Sequence, residues 1–411
     1  MPYPVRQPDG DTKLEQRPPR RWSISPVLFR DADAPESFDG VSILSEVRGD
    51  LGLALFQLFR DVLLWGTVPR ESGRPLFRDG AAHWIAALLD AALADGDLRD
   101  DLETLAGVLR DDTGAKSAVA TAAALRVSRW ASRNSAGATA VHFAQAAAAA
   151  SPADASAALE VGRLAAANHR WTLAEAWLRR AIGLAQRSRD HESYADAWLA
   201  RCRIHVERGD ARARAAAVRT LRAARRHGLG LTAARAHHEL ARLDIAAGRF
   251  PSAERHARIA YRMLRRREVG AHDVLHDLAE ILVAQEEKRR AGMELLVNLL
   301  PHRSRPEERF RSLLMLIRAA GKEGDVHVVE SAWMNALSIT DRQADPTMKA
   351  RQLLDLARSA DEARELKRAR EAARGALVVA SHNHDAPIIE EIGAFISRVG
   401  SRADRLPMNR D

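Results

Sequence analysis

Several short stretches of this 411-residue chain carry side chains that do chemistry, and their spacing decides which chemistry is open to them. HHELA, residues 237–241, begins like the helix of a zinc protease, where two histidines four apart hold the ion and a glutamate between them acts as base. Arg242 stands where the second histidine belongs, so the motif fails. His382, Asn383, His384 and Asp385 put two imidazoles and a carboxylate together; between helices such a cluster reads as a capped turn. GKEGD (321–325) lacks the upstream glycine of a phosphate-cradling loop, and RGD (48–50) falls inside an expected helix. Cys202 is the sole cysteine, which leaves no intramolecular disulfide, and it occupies a small packing position rather than that of a nucleophile. No nucleophile elbow or dinucleotide fingerprint occurs. The expectation is therefore a non-enzymatic chain with no catalytic residue, no metal site and no cofactor.

Charge is the second source of chemistry. The formal net charge is +8, carried mainly by arginine. No acidic residue occurs from Ala211 through His238, while Arg219, Arg222 and Arg226 recur at helical spacing; Arg255, Arg258 and Arg262 do the same further on. On adjacent helices these would merge into a basic outer patch able to hold phosphates. No recognised DNA- or RNA-reading motif accompanies them, so an acidic protein surface, or a merely solubilising face, fits the pattern better.

The elements that must position these residues are helices. Aromatic residues make up only 5% of the chain, alanine and arginine abound, and β-branched runs are scarce, which predicts an all-α fold. Residues 1–38 are rich in proline and charge without apolar periodicity and read as a disordered arm with no secretory signal. Leu44, Val47, Leu51, Leu55, Leu58 and Val62 mark one amphipathic helix over about 41–68. Its apolar run, 51–65, is too short to span a bilayer. It is nevertheless more apolar than a lone surface helix requires, which points to homodimerisation through the terminal helices. Helices over 81–95 and 98–110, with loops at 68–75 and 111–116, complete a helical N-terminal cap over 39–115.

Beyond that cap the chain is self-similar. Leu240-Ala241 is followed by Gly248 and then by Ala253 and Ala260, two helical turns apart on one face. Val161-Gly162 leads to Trp171, Ala174, Leu178 and Ala181; Leu278-Ala279 to Ala291 and Leu295; Leu316-Ile317 to Gly324, Trp333 and Ala336; Leu356-Ala357 to Ala369 and Ala376. This lattice resembles the tetratricopeptide repeat family, in its longer-period form found in bacterial sensors and regulators. The resemblance implies a right-handed α-solenoid of helix-turn-helix repeats over 116–385, a C-terminal capping helix over 386–400 and a tail over 401–411. It also implies that the residue after each Leu-small pair faces a concave groove: Arg129, Arg163, Arg203, Arg242, Glu280, Arg318 and Arg358, with His238, His276 and Leu314 nearby. Guanidinium groups in that column would grip an acidic peptide, unless each instead pairs with a neighbouring carboxylate. The functional expectation is a cytoplasmic scaffold or sensor that binds an acidic peptide or protein partner in its groove. The alternative is a regulator that contacts nucleic acid through the basic outer surface.

Overall fold

In a computed structural model the described residues are 40–67, 96–110, 117–265 and 270–403. The expected arm, the loops at 68–75 and 111–116, the helix at 81–95 and the end of the tail lie outside them. Among the described residues every regular element is helical. The chain divides into two compact units, Met1–Ile204 and His205–Asp411.

The first unit contains α1 (Val41–Glu46), α2 (Gly49–Thr67), α3 (Gly96–Arg110), α4 (Ser117–Arg133), α5 (Gly137–Ala150), α6 (Ala155–Ala167), α7 (Trp171–Ser188) and most of α8 (His191–Glu207). The single helix expected over 41–68 is thus two, broken at Val47 and Arg48, so Arg48 of RGD lies in the break while Gly49 and Asp50 open α2. Gly49 takes φ +73°, a left-handed value that glycine adopts without steric cost. Gly52 lets the Val47 carbonyl approach, since a Cβ there would lie 1.9 Å from that oxygen. The break has a purpose in packing. It lets the Glu46 carboxylate cap α5, accepting from the Ala138 and Thr139 amides at 2.8 Å each, where the helix dipole favours negative charge. Helix α5, GATAVHFAQAAAAA, is buried on all sides, and its alanines allow neighbouring helices to approach closely. One of those neighbours is α2, whose Leu55, Leu58, Phe59, Val62 and Trp65 pack into the same core. That face of α2 is thus covered within this unit, while Leu53 and Leu64 of the same helix stay exposed.

The second unit begins within the last turn of α8 and runs through α9 (Arg212–Arg226), α10 (Gly230–Ala246), α11 (Phe250–Leu264), α12 (Ala271–Ala284), α13 (Arg289–Leu299), α14 (Pro306–Glu323), α15 (Val326–Asp341), α16 (Pro346–Glu362), α17 (Leu366–His382) and α18 (Ala386–Ala403). Each hairpin packs its two helices together, and α10, α12, α14, α16 and α18 touch in that order, as stacked repeats require. The turns follow the residue chemistry: Gly248 at φ +68°, Gly324 at φ +73°, proline in the first turn of α14 and α16, and Asp345 capping α16 through the Thr347 amide. Ala241, Ala253 and Ala260 are fully buried where α10 and α11 meet. One contact register differs from the expected lattice. In α13 the buried positions are Gly292, Met293, Leu296 and Leu299, while Ala291 is exposed and Leu295 half-buried. The 3-10 turn Glu286–Lys288 leads into α13 and rotates its buried face by one residue.

Candidate functional site

Helices α10 and α12, the first helices of successive hairpins, border a recess of about 300 Å³ in the second unit. His238 and Arg242 come from α10, Asp273, His276 and Asp277 from α12, and Arg303, Glu308 and Arg311 from the turn and helix that follow. Glycines set both helices: Gly228 (φ +69°) precedes α10 and Gly270 (φ +73°) precedes α12. With those starts fixed, the helical period carries Asp273 and Asp277, four apart, onto one face.

The recess is a network of ionic and polar pairs. His238 Nε2 lies 2.6 Å from Asp277 Oδ2, and His276 Nδ1 lies 3.8 Å from Asp277 Oδ1. Burial alone would raise the Asp277 pKa, but the hydrogen bond with His238 and the nearby His276 ring hold the carboxyl well below the usual range. Glu280, one turn on, is pushed upward by burial and by the Asp277 charge, against a downward pull from His276, Arg318 and Arg242. Arg303 is buried; it donates to Asp273 at 2.8 Å, to Glu308 at 3.2 Å and to the His272 carbonyl at 3.2 Å. Arg242 and Arg311 are exposed; Arg242 reaches Glu239 at 3.3 Å, and Arg311 has no ion-pair partner among the described residues.

The remaining column residues divide between the units. In the first, Arg129 is exposed and lines a recess of about 820 Å³ with Arg126, Trp130, Arg133 and Glu160. Arg163 on α6 donates to Asp196 of α8 at 2.6 Å, and Arg203 is exposed on α8. In the second, Arg318 lies 3.9 Å from Glu362 on α16 and Arg358 lies 2.5 Å from Glu391 on α18. Arg163, Arg318 and Arg358 therefore each reach a carboxylate one repeat further on, as the alternative to a ligand-gripping column supposes. Leu314 packs half-buried against the core that runs from α12 to α18 and does not line the recess.

The other flagged residues have definite places. Arg219, Arg222 and Arg226 on α9 and Arg255, Arg258 and Arg262 on α11 are all exposed; Arg258 donates to Glu254 at 2.9 Å. His237, adjacent to His238 in sequence, points the other way, since neighbouring helical residues lie about 100° apart. Its Nδ1 is 2.8 Å from His256 Nδ1, and its Nε2 is 3.1 Å from Arg225 Nη2. Burial first, and then the His256 and Arg225 charges, push its pKa down to about 4. Residues 382–385 form the turn between α17 and α18: His384 is left-handed at φ 53°, and Asp385 accepts from the Ile388 amide at 3.4 Å. Cys202 is buried.

Sequence inspection passed over His276, Asp277 and Glu280 as a set. Their spacing on a helix was the available signal, but nothing in the sequence shows that His238 faces them.

No protein-family model matches the chain, and no curated protein sequence matches it. Solved structures do. A STAND signal-transduction ATPase with a tetratricopeptide repeat sensor, from Pyrococcus horikoshii, aligns at TM-score 0.51 and 11% identity over 89% of this chain and 61% of its own length. PilF of Pseudomonas aeruginosa aligns at 0.44 and 16%, over 55% of this chain and 95% of its own. A Rap protein in complex with competence and sporulation factor aligns at 0.43 and 11%, over 84% and 98%. This chain thus shares the helical-repeat fold of the tetratricopeptide type. No helix among the described residues is long and apolar enough to cross a membrane.

Proposed function

We propose that this chain of tetratricopeptide-type fold is a non-enzymatic scaffold or sensor that takes an acidic peptide or protein segment in the recess of its second unit. One observation carries the reading. The carboxylates of the recess are already engaged, Asp273 and Glu308 by Arg303 and Asp277 by His238, while the guanidinium groups of Arg242 and Arg311 are exposed at its edge. Such groups bind incoming carboxylates in bidentate fashion. Because Arg318 and Arg358 each stand within ion-pair distance of a carboxylate one repeat further on, the recess, and not the full arginine column, is the centre of this reading. A cytoplasmic setting belongs to it too, resting on the lone buried cysteine.

The test uses a fluorescein-labelled peptide of alternating Asp and Glu and the full chain, read by anisotropy. The double variant Arg242→Glu/Arg311→Glu should bind at least about tenfold more weakly, the effect of losing roughly 1.4 kcal/mol, with helicity unchanged. Unaltered binding would remove the recess from consideration. A second reading is favoured by the six arginines and absence of acids in α9, which suit a phosphate backbone. Arg222→Glu/Arg258→Glu should leave peptide binding intact; if that pair alone weakens binding, and a DNA duplex competes with steep salt dependence, the outer surface is the functional one.

A further inference from the structure

The structure assigns a binding site for a divalent first-row transition metal ion, of the zinc class, to His276, Asp277 and Glu280 of α12, with His238 of α10 as fourth donor. One ring nitrogen of His276 and one carboxylate oxygen from each of Asp277 and Glu280 lie within 4.8 Å of one another. Donors around a tetrahedral zinc ion stand about 3.4 Å apart, so side-chain adjustments of about an ångström would close the set. All three residues occupy a single helical turn, and helical geometry keeps them together without any loop having to order. His238 arrives from the neighbouring helix, its Nε2 already 2.6 Å from Asp277 Oδ2.

A second observation points to a ligand. His276 Nε2 is shut off from solvent and has no hydrogen-bond partner. A buried polar nitrogen in that condition is unfavourable, and a metal ion held by that nitrogen would relieve it. Two imidazoles with two carboxylates suit zinc, cobalt or nickel better than magnesium or calcium, which prefer oxygen donors alone. Arg242 and Arg318 stand near Glu280 and temper the affinity without supplying competing donors. Nothing in this assignment depends on a peptide occupying the recess.

The experiment is a titration of the untagged full chain with zinc alone, by calorimetry, and with cobalt alone, by visible absorption. The expected result is one ion per chain and a cobalt spectrum of four-coordinate type. His276→Ala and Glu280→Gln should each weaken binding at least tenfold, whereas His384→Ala, in the turn at 382–385, should not change it. Circular dichroism identifies any variant that fails to fold, and Asp277→Asn then replaces it. Absence of stoichiometric binding, or binding unchanged in the His276 and Glu280 variants, overturns the assignment, as does loss of binding through His384→Ala.

Discussion

Asp244 shows how much one side chain organises. It is fully buried on α10, and its carboxylate accepts from Arg214 of α9 at 2.5 Å and from Arg249 and Ser252 at 2.9 Å and 2.7 Å. Two hairpins are joined through it. Asp244→Ala should lower stability by about 1–3 kcal/mol, because the guanidinium and hydroxyl donors lose a charged acceptor; a melting curve equal to the parent would show that the contacts are incidental. Two buried histidines make a pH prediction at the same scale. His142 and His237 are each lowered from 6.5 to about 4, in both cases chiefly by burial. Between those values the unfolded chain binds more protons than the folded one. Their contribution is therefore complete above about pH 6.5 and is lost as pH falls toward 4. Melting temperatures should decline across that window, and His142→Gln/His237→Gln should flatten the decline; equal slopes would mean that other groups control acid stability.

At the scale of elements, glycine has two roles here that composition does not distinguish. Gly248 ends its hairpin turn at φ +68°, with nothing within 4 Å of a Cβ built on it. Gly321 lies inside α14, where an added Cβ would come 2.3 Å from Ala363 Cβ and 2.5 Å from its Cα. That neighbour is backbone and cannot swing away. Gly321→Ala should cost about 1–3 kcal/mol by overpacking α14 against the segment after α16, although alanine is the better helix former. Gly248→Asn should cost little, since asparagine tolerates the left-handed region. Thermal melts of the two variants, compared side by side, test the difference. In sequence the two glycines look alike; the turn glycine was legible from its place between periodic runs, and the packing glycine was not.

At the scale of the whole molecule, stability should be local. A stack of hairpins gains most of its stability from nearest neighbours, so damage in one place is felt nearby. Leu316→Ala, within the core shared by α12 to α18, should destabilise by about 2–5 kcal/mol. Hydrogen exchange should then quicken across 306–341 and stay unchanged across 137–185 in the other unit. Uniform acceleration along the chain would show instead that the units unfold as one.

What the sequence determined by itself was the repeat. Small residues at Ala241, Ala253 and Ala260 recur because two helices can approach closely only where side chains are small, and that constraint is written locally, hairpin by hairpin. Buried alanines and the glycine at 248 fall where that pattern puts them. The tertiary structure alone decided three further things. It broke the first helix at Val47 so that Glu46 could cap α5, a contact about ninety residues distant. It rotated α13 by one residue after an irregular turn. It also turned His237 toward His256 and His238 toward Asp277. Each of these depends on what faces a residue across a packed interface. A sequence states the spacing along one helix, while the partner on the next helix is set by how the hairpins come together.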